Sequence, residues 1–416
     1  MTWLGLSGDD PFGPANLPYG VFSTAGTPPR VGVRIGSWVA DVSQVARSIP
    51  NAARNDDLTA IIAAWESNSL NAFLDLGPTA WSAARTWLQE VFAHPEHEAA
   101  TRPYLVALAD VRLHLPFAVA DFVDFDTSRE YARNMSRMFR PGTEAPSELW
   151  EHLPMGQHSR AGTVVVSGTD IVRPYGQLTP TDGLQPAFGP TRRLDVEVEL
   201  GYVIGAPTAQ GTRVSAGDAD QHIFGVVLLN DWAARDILYW EYVPLGPFIG
   251  SSFATSISPW VVTTAALSAA RVPLPAQNPD LLPYLRTRHP DGQPRAPYGY
   301  DVTVDFEING TLVSQPEAAH NAWSPAQLVA HLTVAGAGLR SGDLLGSGAI
   351  SGTMADTRGT LLDLTWGGQE PVTLADGSIR SYLEDGDVVT LRATAPGEGG
   401  SAIGFGECIG RVVPAH

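Results

Sequence analysis

The sequence predicts a mostly β protein, built as a small N-terminal unit followed by a larger strand-rich body. Three observations carry this expectation. Glycine (42) and proline (33) are abundant, which favours many turns and short strands over long helices. Short segments alternate apolar with polar or small residues, the period-two signature of half-buried strands. Helical patterning is confined to a few segments, two of them close together near the start. With 416 residues, 44% hydrophobic and 17% charged, the chain has the composition of a folded globular protein.

The elements follow in order. Residues 31–36 and 38–42 read as the two strands of a hairpin. Residues 57–65 and 78–92 read as helices, the second with Pro78 suited to a first helical turn. Residues 111–117 read as a strand leading out of this unit, so a boundary is placed near residue 118, giving units 1–118 and 119–416. Beyond it, strands are expected at 162–167, 194–201, 223–230, 259–263, 301–308 and 387–393. Residues 324–336 read as a helix capped by Ser324 ahead of Pro325. The stretch 270–300, rich in proline and arginine, reads as a long surface loop.

Charge and composition exclude several functions. The net charge is −18, which argues against nucleic acid as a partner. All 26 basic residues are arginine, so no lysine is present to form a Schiff base. The single cysteine, Cys408, allows neither an intramolecular disulfide nor a thiolate zinc site, and reads as a buried structural thiol. Residues 1–4 do not open a basic-then-apolar leader, and no apolar run reaches membrane-spanning length, so a cytoplasmic protein without a membrane partner is expected.

Three acidic segments stand out. In 193–200, a continuous strand would put Val196, Val198 and Leu200 on one face and Asp195, Glu197 and Glu199 on the other, about 6.5–7 Å apart. Such an acidic face is either wet or gathered around a cation. Asp124 lies just before a helix start at which Asp126, Thr127 or Ser128 can be the cap. Asp231 ends an apolar strand where a helix begins, and could simply cap it. If Asp124, Glu197, Glu199 and Asp231 converge, they form an all-oxygen site for Mg²⁺, Ca²⁺ or Mn²⁺ and not for zinc.

The chain resembles the fumarylacetoacetase family over essentially its whole length. The motifs that carry the resemblance are Asn16-Leu17-Pro18-Tyr19-Gly20, Asp124-Phe125, Met138-Phe139-Arg140, Leu153-Pro154-Met155-Gly156, the acidic strand, Asn230-Asp231-Trp232, the run Trp240-Glu241-Tyr242-Val243-Pro244-Leu245-Gly246-Pro247-Phe248, and Gly404-Phe405-Gly406. The resemblance implies an SH3-like N-terminal barrel, a mixed β-sandwich-roll catalytic domain and a homodimer. It implies hydrolysis of a C–C bond in a β-diketo acid, a small-molecule keto acid substrate. It makes Asp124, Glu197, Glu199 and Asp231 metal ligands, and places Thr255 near a second, structural cation. Arg140, Tyr242 and Arg235 match residues that bind substrate or stabilise its oxyanion.

The departures from the family pattern are concentrated in the chemistry. Tyr131 stands where the family has its water-activating histidine, Asp363 where it has the glutamate partner, and Ser251 where it has an active-site lysine. Leu238 replaces a glutamine, Ala349 a threonine, and Asp126 and Gln157 two substrate-contacting tyrosines. An ordinary tyrosine titrates near ~10 and is a poor base at neutral pH, so Tyr131 is read as a proton donor or orienting group. His158 is a conceivable substitute base or a structural histidine. Three functions follow as expectations: the family's hydrolysis; a metal-templated decarboxylation, tautomerisation, dehydration or cyclisation suited to secondary metabolism, with Tyr131 or Asp363 moving the proton; or a silent ligand-binding homologue.

Overall fold

Val31, Val33 and Ile35 point one way along an extended segment and all three are buried, so the first hairpin forms where the alternation places it. Arg30–Ile35 pairs antiparallel with Trp38–Asp41. This computed structural model describes residues 2–49, 56–140, 142, 146–180, 185–278, 280–287, 293 and 296–416. Tyr19–Ser23 and Arg112–His114 extend the hairpin on one side and Leu105–Ala107 on the other, making a five-stranded antiparallel sheet. The strand expected at 111–117 is shortened to Arg112–His114. Pro116 has no N–H to give to a ladder. The two expected helices are Asp56–Trp65 and Gly77–Ala93.

Among the described residues the body holds two large sheets and four two-stranded ones. The larger runs, in spatial order, Met155–His158, Phe122–Asp126, Leu344–Gly346, Val198–Ile204, Ile223–Asp231, Thr255–Ile257 and Val164–Val166, with Val262–Thr263 also paired to Ile223–Asp231. The smaller runs Thr311–Ser314, Thr303–Ile308, Val388–Pro396, Ala402–Val413 and Asp170–Val172. Ile223–Asp231 is buried on both faces, which is why its sequence is apolar without alternation. Val226 and Leu228 enter one core with Phe306, Leu391 and Phe405 of the smaller sheet. Val227 and Leu229 enter another with Val31, Val33, Trp65 and Phe73 of the N-terminal unit. The larger sheet is thus the middle layer of three. The architecture is mostly β, as expected.

Ser324 caps Pro325–Thr333 through a reciprocal box with Gln327, the expected helix start. Cys408 is buried, as expected, and burial pushes its thiol up to about 12. Among the described residues no helix is long and apolar enough to cross a membrane.

Two expectations need correction. The stretch 270–300 is not simply a surface loop. Its ends pair as a ribbon, Arg271–Pro273 with Tyr298–Tyr300, and Leu281, Leu285 and Tyr300 are buried; residues 279, 288–292 and 294–295 lie outside the described residues. The acidic strand at 193–200 is not continuous. Leu194–Asp195 pairs with Ala233–Ala234, and a separate strand, Val198–Ile204, pairs with Ile223–Asp231. The break at 196–197 removes the simple alternation. It directs Asp195 to Arg235 and to backbone amides, away from the cluster that Glu199 joins.

Candidate metal centre

Strand register gathers four carboxylates from positions far apart in the chain. Asp124 is level with Gly346 on the parallel strand Leu344–Gly346, and Gly346 is level with Gly201 on Val198–Ile204. Glu199 lies two residues before Gly201, opposite Leu229. Asp231 ends the next strand, opposite Thr255. One oxygen each from Asp124, Glu197, Glu199 and Asp231 lies within 4.8 Å of the others. The acidic face is therefore not wet: Asp124, Glu199 and Asp231 are buried, and Glu197 retains 13% side-chain exposure. Gly346 makes room for them. A Cβ there would lie 2.7 Å from Glu199 Oε2 and 2.8 Å from Asp124 Oδ1.

Four ionised carboxylates at this spacing cannot stand alone. Each pair at about 5 Å repels by about 3 kcal/mol at an effective dielectric near 20. Burial and the Glu197 charge push Asp124 up to about 8. Burial and neighbouring carboxylates, Asp124 first among them, hold Glu199 and Asp231 well above the usual range. Asp124 Oδ1 and Glu199 Oε1 are buried without a hydrogen-bond partner. Buried polar atoms are rarely left so. Unpartnered, repelling oxygens converging on one point fit a hard divalent cation, whose charge would return all four to the ionised form.

The surroundings fix the ligand oxygens. Thr255 donates its hydroxyl to Asp231 Oδ1 at 2.6 Å, beside the cluster; among the described residues no second group of three or more His, Cys, Asp or Glu side chains converges in this way. Gln157 donates from Nε2 to Asp124 Oδ2 at 3.2 Å. The Gly348 amide donates to Glu199 Oε2 at 3.0 Å. Arg235, buried, donates from Nη1 to Glu197 Oε1 at 2.6 Å, and the Tyr131 hydroxyl reaches the same oxygen at 3.4 Å. Burial, only partly offset by Arg235, raises the Tyr131 pKa well above its ordinary value, so Tyr131 keeps its proton. Ser128 caps helix Arg129–Phe139, one of the three expected candidates, and accepts from the Tyr131 amide. Asp231 caps no helix. It ends its strand, and helix Arg235–Glu241 starts four residues on from Ala234 as cap, without a side-chain bond.

Other expected residues stand apart from the four carboxylates. Asp363 is buried and pushed up to about 6, by burial against the Arg358 charge; it accepts from Asn134 Nδ2 at 3.0 Å, whereas Tyr131 bonds Glu197. A Tyr131–Asp363 dyad is therefore not formed. Asp126 follows Asp124 on the same strand face, holds the Trp150 indole N–H through Oδ2 at 3.0 Å, and leaves Oδ1 buried and unpartnered. Its carboxyl is pushed up to about 7, chiefly by burial. Arg140 and Tyr242 are exposed at the C-terminal ends of helices Arg129–Phe139 and Arg235–Glu241, which meet through the Phe139 and Tyr239 rings at 4.6 Å. Ser251 and Ala349 are buried and Leu238 half-buried, none of them hydrogen-bonded through its side chain to a carboxylate. His158 is exposed, one residue beyond Gln157 and so on the opposite face of its strand. The sequence reading missed Asn134 and Gly346, and it placed Asp195 on the acidic face without giving it a role of its own.

Comparison with known proteins agrees with this geometry. The family described as "Fumarylacetoacetate (FAA) hydrolase C-terminal" matches residues 122–413, and "Fumarylacetoacetase N-terminal" matches residues 15–116. Fumarylacetoacetase of Homo sapiens is 40% identical over 429 residues, covering 100% of this chain and 99% of that protein. The chain belongs to the fumarylacetoacetase family. The enzyme of that name from Oryza sativa subsp. japonica is 39% identical, covering 96% of this chain and 94% of its own. Among solved structures, fumarylacetoacetate hydrolase from Exiguobacterium antarcticum shares the fold at a TM-score of 0.53 and 18% identity, covering 96% of this chain and all of that one. Fumarylacetoacetase relatives of this similarity support an enzyme of the same type, with an acidic cluster able to hold a metal.

Proposed function

We propose that this protein is a divalent-metal-dependent enzyme acting on a keto or enol carbon acid, its reaction the C–C bond hydrolysis of a β-diketo acid for which the family is named. The carrying observation is the convergence of Asp124, Glu197, Glu199 and Asp231, with two buried unpartnered oxygens, beside the buried cation of Arg235. These four side chains would hold Mg²⁺, Ca²⁺ or Mn²⁺, which as a Lewis acid lowers the energy of charge developing on a substrate oxygen. Arg235 contributes a fixed positive charge with one free Nη2. Tyr131 holds a proton at its hydroxyl, and Asp126 and Gln157 line the same strand pair and set what the site accepts. Arg140 and Tyr242, exposed at two joined helix ends, are assigned to the outer part of the substrate. Release of two carboxylic acids from a β-diketo acid, abolished by metal stripping and by Glu197→Ala, is the expected result. Activity that survives metal removal overturns the proposal.

A second reading is favoured by one observation. Tyr131 and Asp363 do not form a water-activating dyad with each other, because Tyr131 keeps its proton and Asp363 pairs with Asn134. Ser251 supplies no cation in place of the family's lysine. This supports a reaction that needs no activated water, such as decarboxylation, tautomerisation, dehydration or cyclisation. Turnover in ¹⁸O-labelled water separates the two: label in the acid product means hydrolysis, and its absence with continued turnover means the second.

A cytoplasmic homodimer is proposed with it. The exposed apolar side chains Trp240, Val243, Leu245 and Phe248, in the motif that carries the family resemblance, offer the surface for a second copy.

A further inference from the structure

Asp195 is fully buried and has no part in the cluster, yet its carboxylate is fully used. Oδ1 accepts the Leu361 amide at 2.7 Å and the Val196 amide at 2.8 Å. Oδ2 accepts Arg235 Nε at 2.7 Å and the Leu362 amide at 3.2 Å. Arg235 then spends Nη1 on Glu197 Oε1 at 2.6 Å, and its Nη2 is buried without a partner. Glu197 Oε1 takes both the Arg235 and the Tyr131 bonds, and no hydrogen bond to Oε2 is found among the described residues.

Guanidinium and carboxylate favour a two-pronged pair in which both carboxylate oxygens are engaged. If Arg235 paired with Glu197 in that way, both Glu197 oxygens would share their lone pairs with a cationic donor, and each would be a weaker ligand for a second cation. What prevents it is geometric. Asp195, itself fixed by three backbone amides, holds Nε and with it the plane of the guanidinium. In that orientation Arg235 meets Glu197 through Nη1 alone, and Nη2 stays without a partner.

We propose that Asp195 is a positioning residue of the metal centre: by holding Arg235 through Nε it limits Arg235 to one oxygen of Glu197 and keeps the other free for the cation. This rests on the metal reading given above. The effect is carried entirely through Arg235, and that makes it separable from a role in holding the backbone at 361–362.

The test is calorimetric titration of Mn²⁺ into the full-length protein, with circular dichroism to confirm folding. Wild type binds. Asp195→Asn puts an amide N–H or a weaker acceptor against Nε, frees the guanidinium, and binds Mn²⁺ about 10-fold or more weakly, within the range seen when partners of metal ligands are removed. Asp195→Asn combined with Arg235→Met removes both charges, and its affinity returns to within about threefold of wild type. If the Asp195→Asn protein does not fold, the charge-neutral double variant decides alone, since weak binding by a folded double variant overturns the proposal. Wild-type affinity in folded Asp195→Asn also overturns it, as does a double variant no better than the single. Failure of wild type itself to bind Mn²⁺ would instead refute the metal reading on which this stands.

Discussion

At Gly346 hydrogen is the only substituent that fits between Glu199 and Asp124. Its backbone is not left-handed, so alanine brings no strain in φ, but it sets a methyl against two carboxylate oxygens at 2.7 and 2.8 Å and the Phe122 ring at 3.3 Å. Gly346→Ala is expected to weaken Mn²⁺ binding at least 10-fold by titration, while thermal unfolding shifts less, because the two closest neighbours are side-chain ends. Asp124 gives a second test. Its carboxyl is at about 8 in the cation-free fold against 3.8 unexposed to neighbours. Between about pH 4 and about pH 8 the folded state therefore holds a proton that the unfolded chain has lost. The stability tied to that proton is full below pH 4 and drains away as pH climbs towards 8. Melting temperature in chelator should fall across that window, and saturating Mn²⁺ should flatten or reverse the slope. Equal slopes with and without the ion would sink the reading. The four clustered acids were legible from residue type and family motifs. Gly346 was not, because a glycine in a sequence does not say what it makes room for.

Helix Arg129–Phe139 carries Tyr131 into the site, and its position depends on its N-cap. Ser128, buried, accepts from the Tyr131 and Ser351 amides and donates to the Ser351 carbonyl. Ser128→Ala removes an N-cap and takes a partner from three backbone groups, the Tyr131 and Ser351 N–H and the Ser351 C=O. Chemical denaturation is expected to show a loss of about 1–2 kcal/mol, and turnover should fall with it as Tyr131 loses its anchor. Unchanged stability would mean that the cap is replaced by solvent. Helices with a cap and a period were legible in advance, Pro325–Thr333 down to its capping serine. The acidic strand was misread because period-two alternation presumes an unbroken ladder. The break between Asp195 and Val198 arises from competing partners, Ala233–Ala234 on one side and Ile223–Asp231 on the other, and those lie too far along the chain for local pattern to reveal.

Across the molecule, the larger sheet is covered on one face by the N-terminal unit. Phe122, Val203, Phe224, Val227, Leu229 and Leu344 share a core with Val31, Ile61, Trp65 and Phe73. Asn16 donates through Nδ2 to the carbonyls of Pro11 and Gly404, tying the first turns to the last strand, and Tyr19 pairs with Val261. We propose that the seam near residue 118 divides the chain without dividing its stability. Residues 119–416 expressed alone would expose this apolar face and are expected to aggregate, whereas the whole chain unfolds in one transition by calorimetry. A soluble fragment with native-like near-ultraviolet dichroism would contradict this.

The place of Leu344–Gly346 between Phe122–Asp126 and Val198–Ile204 has a consequence for how the protein is born. All four acids leave the ribosome well before that strand does, yet nothing aligns Asp124 with Glu199 until it slots between them. A nascent chain halted ahead of residue 344 would own all four acids and still lack the arrangement proposed to grip an ion, so on that proposal cation capture belongs to the closing moments of synthesis.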